Sequence, residues 1–246
     1  MTFFFALLGL AVGSLLNVCI DRLPRGESVF FPSSRCEVCG HRLKAKDLVP
    51  VLSYLWLRGC CRYCGASLSP RLPLVEALTA AMFVFLLWKY DLSRELVFTL
   101  FYGSLFIVFF FTDLEQEIIP NSLVYLAIAV GPVIALLRPG LGIGWAVAGG
   151  AAGFALMLLP YLASRGGLGA GDVKLAAVIG LATGFPMVLF ALLLSLIGGG
   201  IVATFLLLLR VKKRKEAIPL GPFLVTGAMI VLLWGDHLRE WYITLL

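Results

Sequence analysis

Long apolar runs separated by short polar or glycine-rich segments dominate the chain. Their lengths fit helices that cross a bilayer, each of which needs about 20 mostly apolar residues. Charged residues mark where each run stops. The pattern predicts spans at residues 3–20, 74–88, 96–111, 122–137, 145–162, 173–183, 187–209 and 220–234. The sixth is short and contains a glycine. One polar stretch, residues 21–73, is long enough to fold separately. The expected fold is an all-α polytopic membrane protein of about eight transmembrane helices with a small loop domain.

Composition agrees. Of 246 residues, 61% are hydrophobic and 14% charged, with a mean hydropathy of +0.99. A soluble domain carries roughly 45–50% apolar and about 25% charged residues. A soluble enzyme, a disordered tail and a fibre are thereby excluded. The first run has no basic residue before it and several after it, the reverse of a cleaved signal peptide, so it is read as the first span.

With the N-terminus outside, 16 of the 20 lysines and arginines fall in inner segments, at 21–73, 165–174 and 210–215. The outer segments hold Lys89, Arg94, Arg138 and Arg239. The formal charge of +6 therefore reads as a topology signal rather than as a nucleic-acid footprint.

The loop at 21–73 contains Cys36-Glu-Val-Cys39-Gly40 and Cys61-Arg-Tyr-Cys64-Gly65. Two C-x-x-C pairs 21 residues apart, each followed by glycine, match two zinc knuckles converging on one tetrahedral ion. The glycine lets the turn close, and metal binding supplies folding free energy that so small a core lacks. A reducing cytoplasm disfavours the alternative of two disulfides. Cys60 competes with Cys61 at a spacing one residue longer. Cys19 reads as a small core residue and His41 as a surface residue.

Among the 14 acidic residues, Asp113 and Asp172 stand out, because apolar helices deliver them to one membrane face. Asp113 follows the third span and Asp172 opens the sixth, within Gly169-Ala-Gly171-Asp172-Val-Lys174. Two carboxylates that meet in a low-dielectric setting share one proton. One can then act as general base on water while the other polarises a peptide carbonyl. The glycines before Asp172 would let backbone approach an extended peptide. Taken singly, either aspartate can equally be a helix cap or an interfacial charge. Glu115 and Glu117 compete with Asp113 but sit in a more loop-like context, and Lys174 reads as an interfacial anchor.

Together these motifs resemble the bacterial type IV prepilin peptidases. The resemblance rests on Gly13-Ser-Leu-Leu-Asn17-Val-Cys-Ile-Asp-Arg22-Leu-Pro24, the double C-x-x-C loop, and Ser69-Pro-Arg71-Leu-Pro73-Leu-Val-Glu76. It continues through Asp113 to Pro120 and Gly169 to Lys174. It implies a Gly-x-Gly-Asp aspartic endopeptidase with Asp113 and Asp172 as catalytic pair and Cys36, Cys39, Cys61 and Cys64 as metal ligands. Its substrates would be prepilins and pseudopilins of type IV pili or type II secretion, cut after the glycine that ends a basic leader. It also implies N-methylation of the new N-terminus with S-adenosylmethionine, although no glycine-rich nucleotide loop is present and no cofactor-binding set stands out.

The domains expected are a first transmembrane helix at 1–20, a cytoplasmic four-cysteine zinc domain with a methyltransferase role at 21–73, and a transmembrane peptidase domain at 74–246. The expected location is the bacterial inner membrane, with the cysteine loop and both aspartates at the cytoplasmic face. Three departures stand out. Asn121 replaces an acidic residue common in relatives, Cys60 is an extra thiol, and Ala80 stands where glycine is frequent. Asn17, Arg22 and Glu76 either line the methyl-donor site or anchor helix ends. A transporter with intramembrane acids would call for charges near the bilayer midplane and inverted repeats, neither of which is evident. A non-catalytic assembly factor would use the cysteine loop as a docking platform.

Overall fold

The computed structural model describes residues 1–138, 141–163, 168–209 and 219–245; of Asp236 and residues 239–245 it describes only the backbone. Arg165, the Gly166-Gly167 pair and the basic run 210–215 lie outside the described residues, as does the side chain of Arg239. Helices account for all regular elements apart from two isolated β-bridges among the described residues.

The eight long helices are α1 (Thr2–Arg22), α3 (Arg71–Tyr90), α4 (Arg94–Gln116), α5 (Asn121–Ala135), α6 (Gly142–Ala163), α7 (Ala170–Thr183), α8 (Met187–Leu208) and α9 (Gly221–Leu245). A 3₁₀ turn (Ala45–Asp47) and the short α2 (Leu52–Trp56) lie in the first loop. Each expected span is a helix. Five of them (α1, α3, α4, α6 and α8) are long and apolar enough to cross a membrane, while α5 and the Gly221–Gly235 part of α9 are shorter apolar helices.

The helix ends depart from the apolar pattern in two informative places. Charges end a hydropathy run but not a helix, so α4 continues past Phe111 through Gln116 and α7 begins at Ala170. Asp113 and Asp172 therefore both lie inside helices instead of flanking them. Glu117, with φ of 54°, stops α4, its N–H still bonding the Asp113 carbonyl at 3.0 Å.

The chain forms two compact units, Met1–Leu96 and Val97–Leu246. In the first, α1 packs along α3. In the second, α7 is the central element, in contact with α5, α6, α8 and α9. Its 14 residues span about 21 Å, less than a bilayer core. Ten of them are buried, so neighbouring helices rather than lipid surround it. The tightest approach is between α6 and α7. A Cβ at Gly180 would lie 2.7 Å from the Gly150 nitrogen and would collide with the Gly149 carbonyl. Close backbone contact through small residues is how membrane helices gain packing energy where lipid removes the hydrophobic drive.

Candidate active site

The last turn of α4 carries Asp113 and the first turn of α7 carries Asp172, 6% and 9% exposed. Between the two helix ends runs Ile118-Ile119-Pro120, which joins α4 to α5. A Cβ at Gly171 would sit 3.0 Å from Ile119 Cγ1. Ile119 thus packs against the bare Cα of Gly171. The α4–α5 link and the start of α7 approach closely at this glycine. The two carboxylates are near enough to interact electrostatically.

Gly169 caps α7 in extended backbone, its carbonyl accepting the Asp172 N–H at 3.1 Å. Asp113 Oδ2 accepts the Gly221 N–H at 2.8 Å in a buried contact. Glu115 and Glu117 are exposed. Lys174 donates to Asn121 Oδ1 at 2.8 Å. Gly221 is the residue that motif reading missed, because its contribution is a backbone amide with no side-chain chemistry. The available signal was Gly221-Pro222 opening the last apolar run, the arrangement of a helix start.

In the first unit the two knuckles have matching geometry. The Cys36 N–H bonds the His41 carbonyl at 2.9 Å and the Cys61 N–H bonds the Ala66 carbonyl at 2.8 Å. Gly40 and Gly65, with φ of 69° and 72°, turn the chain back and donate to the Cys36 and Cys61 carbonyls, both at 2.9 Å. Cys36, Cys39, Cys61 and Cys64 bring their sulfurs within 4.8 Å of one another. A tetrahedral zinc–thiolate site, with bonds of about 2.3 Å, needs sulfurs about 3.8 Å apart. Cys36 and Cys64 are at 3.9 Å. Backbone N–H groups of Cys39 and Val38 hold the Cys36 thiol down at about 7, favouring the thiolate that ligates a metal.

Cys60 is outside the cluster, its thiol directed at the Arg58 carbonyl, and Cys19 lies in α1. His41 stacks on Tyr63 at 3.7 Å, joining the knuckles. The Tyr63 hydroxyl and the Arg62 Nε both donate to Asp47, at 3.0 and 2.6 Å. Those bonds, Arg62 foremost, hold the Asp47 carboxyl at about 2.

A polar group links this module to α1 and α3. Glu76 Oε2 accepts the Val51 N–H at 2.7 Å, with Val51 at φ of 60°. Arg71 pairs with Asp21 at 2.6 Å, and Asn17 donates to the Leu72 carbonyl at 2.9 Å. Asn17 is 3% exposed and its Oδ1 is buried without a hydrogen-bond partner.

Fold and sites define a polytopic helical membrane protein with a paired-aspartate centre in one unit and a four-cysteine module in the other. The chain matches the bacterial peptidase A24 N-terminal domain over residues 7–90 and the type IV leader peptidase family over residues 100–204. It is similar to the prepilin leader peptidase/N-methyltransferase of Aeromonas hydrophila, 33% identical over 97% of this chain and 92% of the relative. The protein of the same name from Bacillus subtilis (strain 168) is 30% identical over 96% of this chain and 95% of its own. That from Myxococcus xanthus (strain DK1622) is 39% identical over 83% of this chain and 63% of its own. No solved structure matches the chain. The chain belongs to the type IV leader peptidase family.

Proposed function

We propose that the protein is an aspartic endopeptidase that removes the leader from type IV prepilins and pseudopilins, after the glycine that ends the leader, and then N-methylates the new N-terminus. The observation that carries the peptidase reading is the pair of buried carboxylates, Asp113 and Asp172, on facing helix ends. They hold one proton between them. As water attacks the scissile carbonyl carbon, the ionised carboxylate takes a proton from the water and the other donates its proton to the carbonyl oxygen. The tetrahedral intermediate collapses as the C–N bond breaks: one of its hydroxyls returns a proton to the carboxylate that acted as acid, and the departing amine takes the proton gained from water.

Zinc would be held by Cys36, Cys39, Cys61 and Cys64, whose sulfur spacing suits it, and its contribution is structural. What S-adenosylmethionine supplies, when bound, is an electrophilic methyl group on a sulfonium sulfur. We assign its amino-acid end to Asn17, whose unpartnered Oδ1 is an acceptor suited to an ammonium, with Glu76 the nearby carboxylate for positive charge. The basic-residue bias supports an inner-membrane orientation with the N-terminus outside and both centres at the cytoplasmic face.

The test is purified protein in detergent with a prepilin carrying a Gly-Phe junction and labelled S-adenosylmethionine. The expected products are free leader and labelled mature pilin. An intact leader after prolonged incubation would overturn the peptidase reading, and unlabelled mature pilin the methyltransferase one.

A further inference from the structure

The Gly221 amide and Asp113 meet across 108 residues of sequence, inside the protein. A Cβ built on Gly221 would lie 2.5 Å from Asp113 Oδ2, 2.7 Å from Cγ and 2.9 Å from Cβ. Every other residue type would therefore displace the carboxylate or the start of α9. The backbone here has little freedom to yield. The Leu220 carbonyl accepts the N–H groups of Phe223 and Leu224 at 3.0 and 3.1 Å, and Pro222 follows directly. Deeper along α9, a Cβ on Gly227 would clash with the Ser195 hydroxyl and lie 2.6 Å from the Ala191 carbonyl, so α9 is held against α8.

We infer that Gly221 is a positioning residue for the peptidase reaction: its N–H fixes Asp113 Oδ2, and its bare Cα leaves the space that the Asp113 carboxylate fills. One oxygen of Asp113 is thereby committed to the scaffold and Oδ1 is the oxygen that meets water. The second aspartate receives no such tie from α9 among the described contacts, so the two carboxylates are held by different elements. The inference rests on the peptidase reading above.

The test compares Gly221→Ala with wild type on two substrates, intact prepilin and pre-cleaved pilin. The expected result is a fall in kcat for cleavage of about 100-fold, the scale of a misplacement near 1 Å. KM should stay within about twofold. Methylation of pre-cleaved pilin should be unchanged, because it draws on residues of the other unit. Cleavage by Gly221→Ala within about threefold of wild type overturns the inference, as does a rise in KM with kcat intact. Failure of wild type to cleave overturns the peptidase reading instead.

If Gly221→Ala does not fold, the same substitution is made in Asp113→Gly, which removes every side-chain atom it meets, the Cβ included. Melting temperature there should return to that of Asp113→Gly alone. An undiminished loss in that background means that the Gly221–Asp113 contact is not the cause, and overturns the inference.

Discussion

Replacing Gly180 with alanine tests whether α6 and α7 are held at backbone contact distance and whether that contact sets the position of Asp172. The new Cβ would sit 2.7 Å from the Gly150 nitrogen and closer still to the Gly149 carbonyl. These are backbone atoms of a helix and cannot rotate aside. Reaching an ordinary contact of 3.4 Å requires the helices to part by at least 0.7 Å, the difference of those two distances. Overpacking of one methyl group costs about 1–3 kcal/mol, and a backbone clash belongs at the upper end.

Asp172 lies about two turns away on the same helix, so cleavage should fall roughly 10- to 100-fold. Gly198→Ala on α8 is the control, since a Cβ there meets nothing within 4 Å. It should be neutral or stabilising by up to about 1 kcal/mol. The assay is thermal melting in detergent together with prepilin cleavage. If Gly180→Ala melts and cleaves like wild type, or if Gly198→Ala is equally harmful, the argument from backbone proximity fails.

Cys36→Ser and Cys64→Ser should each abolish stoichiometric zinc, measured by elemental analysis, and unfold the loop, because a structural zinc supplies on the order of 10 kcal/mol in small modules. Cys60→Ser should retain the metal in full; zinc loss from that variant would contradict the ligand set. Asn17→Ala should weaken binding of labelled S-adenosylmethionine in equilibrium dialysis at least tenfold and suppress methylation, with leader cleavage unaffected. Undiminished binding would remove Asn17 from the methyl-donor site.

Much of this architecture is legible in the chain because apolar runs and charges report lipid exposure directly. All eight long helices follow from them, and the four cysteines follow from spacing alone. Helix ends do not, because a helix tolerates charge where hydropathy stops. For that reason Asp113 and Asp172 looked like flanking residues although both sit within helical turns. What packs against Gly171 was not legible for a related reason. Its neighbour Ile119 is distant from it in sequence, and a bare glycine shows only that something comes close, not what. His41 and Tyr63 stack because the two knuckles fold onto each other, a long-range contact with no local signature. Gly221 was invisible because it acts through a main-chain N–H, which every residue except proline possesses.

The central claim is that Asp113 and Asp172 cleave as a pair. Asp113→Asn and Asp172→Asn keep the shape of each side chain while removing its ability to exchange a proton in this role. Single-turnover cleavage of a Gly-Phe prepilin by purified protein should fall by at least about 10²–10⁴-fold in both variants. Zinc content and methylation of pre-cleaved pilin should match wild type, showing that the fold is intact. Cleavage at the wild-type rate by either variant would contradict the account.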